Sequence, residues 1–88
     1  MKAIHPLKAG FTLGLLIGAW HLSWVILVAI GWAQAVIDFV FWMHFIKPVY
    51  VIAPFNLANA VILVVVTFAG GFIIAWVFSL IWNRLHLN

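Results

Sequence analysis

The chain has 88 residues, enough for one small domain. With 69% hydrophobic and 6% charged residues it has too little polar surface to coat a water-exposed globule, a difficulty that vanishes where side chains face lipid. Four Lys and Arg against one acidic residue give a formal charge of +3, but Lys2, Lys8, Lys47 and Arg84 are scattered, which excludes a nucleic-acid patch, and the absence of cysteine excludes disulfides and thiolate metal sites.

Between Ala9 and Ile30 the only ionisable side chain is His21. This run, taken as a first span over residues 9–31, rises roughly 33 Å as a helix and matches a hydrocarbon core of about 30 Å. Apolar character continues to Phe45, too far for one crossing, so the chain must turn near Gly31 and Trp32. Residues 33–46 then read as a shorter interfacial helix. Gln34 and Asp38, four apart, form its narrow polar stripe, while Val36, Phe39, Val40 and Met43 face elsewhere. Trp32, Trp42 and Tyr50 suit an aromatic belt at one membrane surface.

The stretch "KPVYVIAPFN" carries two prolines, each of which removes a backbone donor and pushes the preceding residue toward extended geometry. Residues 47–56 are therefore a connector. Asn56 is placed to cap a second span over residues 57–82, about 39 Å long and so expected to tilt. "NRLHLN", residues 83–88, reads as a tail in water.

Lys2 and Lys8, the apolar run and "AQA" at 33–35 imitate a signal peptide cleaved after Ala35. The apolar region exceeds the usual 7–15 residues and contains His21 and two tryptophans, so a retained span is expected instead. Lys2, Lys8 and Arg84 lie outside the spans at the termini, against Lys47 alone in the connector. That asymmetry predicts that both termini are cytoplasmic.

"GLLIGAWHLSW", residues 14–24, belongs to a ladder in which Gly10, Gly14 and Gly18 recur every four residues. Such a ladder is a groove into which another backbone fits closely. Helical geometry places His21 on the same side. The second span carries Thr67, Gly71, Ala75, Ser79 and Asn83 at the same spacing. These two ladders either close the hairpin or bind another chain.

Three roles are open to His21. As a neutral imidazole it would donate across the groove, with Thr67 and Ser79 as candidate partners, in a bond of about 0.6 kcal/mol. As an axial ligand it would bind haem or bacteriochlorophyll; "GAWHLSW" resembles the ligand region of bacterial antenna polypeptides, although those are single-span chains and no second histidine falls inside residues 57–82. A proton relay would need more titratable groups along a path, and Asp38 is remote in sequence. Asp38 is expected to meet headgroup water, or to pair with Lys47 or a partner subunit. His44 lies near the same interface, and His5 and His86 are terminal. The sequence offers no nucleophile beside a base, carboxylate pair or phosphate loop, and no enzymatic role is expected.

The order of a Gly-rich first span, "FVFWMHF", a proline-containing connector and "TFAGGFIIAWVFSLIWN" resembles a family of short bacterial two-span membrane proteins of unknown function. The likeness covers residues 39–83, with Trp82-Asn83 standing where that family has Tyr-Asn. It implies a bacterial inner-membrane protein that acts through packing, and it supplies no catalytic residues.

The reading is an all-α membrane protein over residues 1–88, a two-helix hairpin with an interfacial helix between the spans. Its expected role is self-assembly or service as an accessory subunit of a larger membrane complex. Its expected partners are the lipid bilayer and either further copies in a homo-oligomer or other membrane subunits, with no cofactor. The alternative is a tetrapyrrole-binding protein using His21.

Overall fold

A computed structural model describes residues 3–47 and 49–86. It contains three helices: α1, Pro6–Ile30; α2, Ala33–Met43; and α3, Leu57–His86. The two long helices lie antiparallel as a hairpin, and both are long and apolar enough to cross a membrane. The shape is a slab of 50 × 32 × 15 Å, one layer of helices thick.

Helix α1 starts three residues before the expected boundary. His5 sits in extended geometry as the N-cap, its ring accepting from the Lys8 amide at 3.4 Å, and Pro6 follows at the first helical position, where its missing N–H has no cost. The helix ends where Gly31 adopts φ 86°, a left-handed conformation that glycine reaches without a side-chain clash. Trp32 N–H then donates to Leu27 O at 2.9 Å and Gly31 N–H to Val28 O at 3.2 Å, a Schellman closure that satisfies two terminal carbonyls. The turn into α2 is complete within two residues.

Helix α2 stops at Met43 rather than at residue 46. The same closure recurs there: Ile46 N–H donates to Phe41 O at 2.9 Å and Phe45 N–H to Trp42 O at 3.1 Å. Phe45 takes the left-handed position at φ 64°, so the chain leaves the helix without a glycine to mark the exit.

Asn56 caps α3, its side-chain oxygen accepting from the Asn59 amide at 3.2 Å. The helix runs on through His86, so residues 83–86 extend it and are not a free tail. Nothing in "NRLH" breaks a helix, and Trp82 stacks on His86 with ring centroids 3.9 Å apart. The remaining tail positions, residues 87 and 88, lie outside the described residues.

Apolar side chains cover all sides of both long helices, and most are exposed. What is buried is a thin seam of small residues: Gly10, Gly14 and Gly18 on α1, and Gly71, Ala75 and Ser79 on α3.

Candidate functional site

The seam is the structural centre of the molecule. A methyl group placed on Gly14 would lie 2.9 Å from the Phe68 carbonyl oxygen, and one on Gly71 would lie 3.0 Å from Leu13 O and 3.1 Å from the Gly14 Cα. At these two positions backbone meets backbone. Gly10 is covered by the Phe72 ring, which would stand 2.9 Å from a methyl group there, whereas Gly18 meets Phe68 Cβ at an ordinary 3.4 Å. The two ladders thus face each other within one chain. Ala75 and Ser79 are buried further along α3, and Ser79 bonds the Ala75 carbonyl of its own helix at 2.7 Å. Thr67, at the margin, is half-buried.

Phe68 and Phe72 are the partners that the ladder pattern does not reveal. Each follows a ladder residue by one position, which turns its ring onto the flank of the seam. Phe11 joins them from α1, 5.2 Å from Phe72 in an edge-to-face arrangement and 6.2 Å from Phe68. The signal was present in the four-residue spacing of the two phenylalanines, hidden among other apolar residues.

His21 does not bond across the groove. Its Nδ1 lies 2.9 Å from Ile17 O, one turn back on its own helix. The hydroxyls expected to receive it bond within their own helix: Thr67 donates to Leu63 O and Val64 O, and Ser79 to Ala75 O. His44 and His86 adopt the same arrangement toward Val40 O and Trp82 O, so it is what a helical histidine does here and not the mark of a ligand site. A cavity of about 310 Å³ beside the His21 ring is lined by Leu16, Ile17, Trp20 and His21, all from α1. It has no opposing wall, and the histidine of α3 is its last residue, so these residues do not fit a tetrapyrrole held between two helices. Among the described residues no three His, Cys, Asp or Glu side chains gather as a metal site would require.

Two side-chain amides anchor the irregular segments, roles the sequence pattern did not disclose. Gln34 Nε2 donates to Asp38 Oδ1 at 2.9 Å and to Tyr50 O at 3.1 Å, while its Oε1 accepts from Ile52 N–H at 2.7 Å. It thereby reads the connector backbone as a neighbouring strand would, and it is Gln34, not Lys47, that bonds the sole acid. At the opposite end of the hairpin Asn83 does the same to Ile4.

The hydroxyls of Thr12, Ser23, Thr67 and Ser79 all donate to backbone carbonyls of their own helices, so none is poised against a base. The connector borders an open cleft of about 260 Å³ against α1 and α3, lined by Trp24, Val28, Asn56, Asn59, Ala60 and Leu63 among others. No family model, curated protein or solved structure matches the chain.

Proposed function

We propose that the protein is a small integral membrane protein of the bacterial inner membrane that works by helix packing, as an accessory subunit or a self-assembling unit, and not as an enzyme. The observation that carries this reading is the distribution of apolar surface. Two helices of 25 and 30 residues are apolar on every side, yet they bury only a seam of small residues against each other. A helix apolar all round belongs in a protein core or in lipid, and among the described residues the buried apolar core is only Ala33 and Ala75 with the glycines of the seam. In the bilayer α2 would lie along the interface, with exposed Trp32, Trp42 and Tyr50 at headgroup level.

Packing with other chains would use the outer faces, because the ladders are occupied inside the hairpin. On α3, a methyl group placed on Gly70 would meet nothing within 4 Å beyond its own helix. A helical glycine lowers helix stability by about 0.8–1 kcal/mol relative to alanine, and no close approach among the described residues requires it here. Close approach of a helix from another chain would do so, since small residues permit backbone contact where lipid gives no hydrophobic drive.

The test is carbonate extraction and vesicle flotation, followed by cross-linking and co-purification in mild detergent for Gly70→Ile and Gly71→Ile. The reading expects an integral protein whose association with copies or other subunits is lost in Gly70→Ile while its helical content persists. An extractable protein, or one whose association is untouched by Gly70→Ile, overturns the corresponding half of the proposal.

A further inference from the structure

The connector has two backbone edges, and Gln34 occupies one of them. Its Nε2 donates to Tyr50 O at 3.1 Å and its Oε1 accepts from Ile52 N–H at 2.7 Å. These are the two bonds that a residue of a parallel neighbouring strand makes to the groups flanking the residue it faces, here Val51. Successive residues of extended backbone turn their N–H and C=O groups to opposite sides. With Tyr50 O and Ile52 N–H held by Gln34, the N–H and C=O of Val51 therefore turn away from it.

That second edge is bare. The backbone groups of Val51 make no hydrogen bond among the described residues, and neither do those of Val49 and Ala53, which share its side. Val51 is 88% exposed, and Val49 and Ala53 are exposed beside it. Pro54, which has no N–H, falls on the Gln34 side and leaves the bare edge its donors. The residues between Lys47 and Pro54 that form the edge, "VYVIA" at 49–53, are uncharged and mostly β-branched or aromatic. Strand edges are ordinarily blunted by charge, proline or a bulge, and within these five positions none of the first two is present.

The edge complements itself. Copies inserted the same way in one membrane are related by a two-fold axis along the membrane normal, and that rotation sets a segment crossing the end of the hairpin antiparallel to its own image. Centred on Val51, the arrangement faces Val51 with Val51 and Val49 with Ala53 of the second copy, and every facing pair can exchange both N–H···O bonds. Resting on the membrane reading above, we propose that residues 49–53 join two copies of this chain edge to edge as an antiparallel pair at the end of the hairpin opposite the termini. The contact is separate from the helix face at Gly70. A pair of such short segments is marginal by itself, so it forms where the bilayer concentrates and aligns the hairpins, and it is read in vesicles and not in detergent.

The chain contains no cysteine, so one substitution supplies the sole thiol. The full chain is floated with palmitoyl-oleoyl phosphatidylcholine vesicles and oxidised with copper phenanthroline. Val51→Cys should give disulfide-linked dimers, because facing Cα atoms lie about 5.5 Å apart, inside the disulfide range. Val49→Cys and Ala53→Cys should each cross-link several-fold less when reconstituted alone and recover when reconstituted together. Val51→Pro removes the donor from the bare edge and leaves both partners of Gln34 in place. It should abolish the mixed cross-link while the Ile52 amide stays protected in hydrogen exchange. The register pattern of the three single thiols decides by itself if Val51→Pro also exposes Ile52. No dimer at position 51, equal dimers at 49, 51 and 53, or a mixed cross-link untouched by Val51→Pro overturns the pairing in a chain that floats. Failure to float overturns the membrane reading itself.

Discussion

Asn83 holds Ile4 by both of its backbone groups: the Ile4 N–H donates to Asn83 Oδ1 at 2.8 Å and Asn83 Nδ2 donates to Ile4 O at 2.7 Å. The pair spans 79 positions of sequence and fastens the segment before α1 to the last turns of α3. A carboxamide presents a donor and an acceptor side by side, as a peptide unit does, and so can satisfy an extended backbone that has no strand beside it.

Asn83→Leu is therefore expected to release the N-terminal segment. The Ile4 amide should lose its protection in hydrogen exchange, and thermal stability in detergent should fall by about 1–2 kcal/mol, the scale of two ordinary hydrogen bonds. Asn83→Asp retains the acceptor for Ile4 N–H and should lose roughly half as much. An Ile4 amide that exchanges equally fast in the parent and in Asn83→Leu contradicts the clamp.

The glycines should separate by what surrounds them. At Gly14 and Gly71 a methyl group meets backbone at 2.9–3.0 Å, and neither backbone can withdraw without moving a helix. Gly14→Ala and Gly71→Ala should each lower hairpin stability by about 1–3 kcal/mol, as overpacking does. Gly18→Ala should be tolerated, and Gly70→Ala, in open space, should gain up to about 1 kcal/mol from helix propensity. Thermal unfolding of the four variants in one detergent checks the order, and a Gly70→Ala variant less stable than Gly71→Ala would refute it.

Gln34→Leu removes three hydrogen bonds and leaves Ile52 N–H and Tyr50 O without their side-chain partner. Unmade bonds of this kind cost about 1–3 kcal/mol each where water is excluded and much less where it enters. The expected result is faster exchange at Ile52 and protease cleavage within the connector, with α1 and α3 unchanged by circular dichroism. Asp38→Asn should have a much smaller effect on both, because an amide oxygen still accepts from Gln34, though more weakly than a carboxylate, and the two bonds to the connector remain.

Purified protein is expected to be colourless, and His21→Leu should lower stability by no more than about 1 kcal/mol, the net worth of one hydrogen bond. The ring bonds its own helix, so no second helix depends on it. A Soret or near-infrared band that disappears in His21→Leu would reverse this and restore the tetrapyrrole alternative.

Reporters fused at either terminus should be active only in the cytoplasm, and one inserted between Lys47 and Pro54 only outside, following the distribution of cations. Activity of the two terminal fusions on opposite sides would be incompatible with a membrane hairpin.

Much of the framework was legible because it is local. The length of the apolar runs, the turn at Gly31 and the cap at Asn56 depend on residues within a few positions of each other, and the four-residue spacing put Gly10, Gly14 and Gly18 on one face whatever that face meets. The end of α2 was misplaced because Phe45 occupies a left-handed position that sequence usually marks with glycine. The partners across the hairpin belong to tertiary structure alone. Which rings cover the glycines, and which backbone groups Asn83 and Gln34 reach, depends on the axial register of the two helices, where a shift of one turn exchanges every contact. His21 shows the converse: the Ile17 carbonyl lies in reach of its ring wherever the helix is placed, so the local bond formed and the predicted bond across the groove did not.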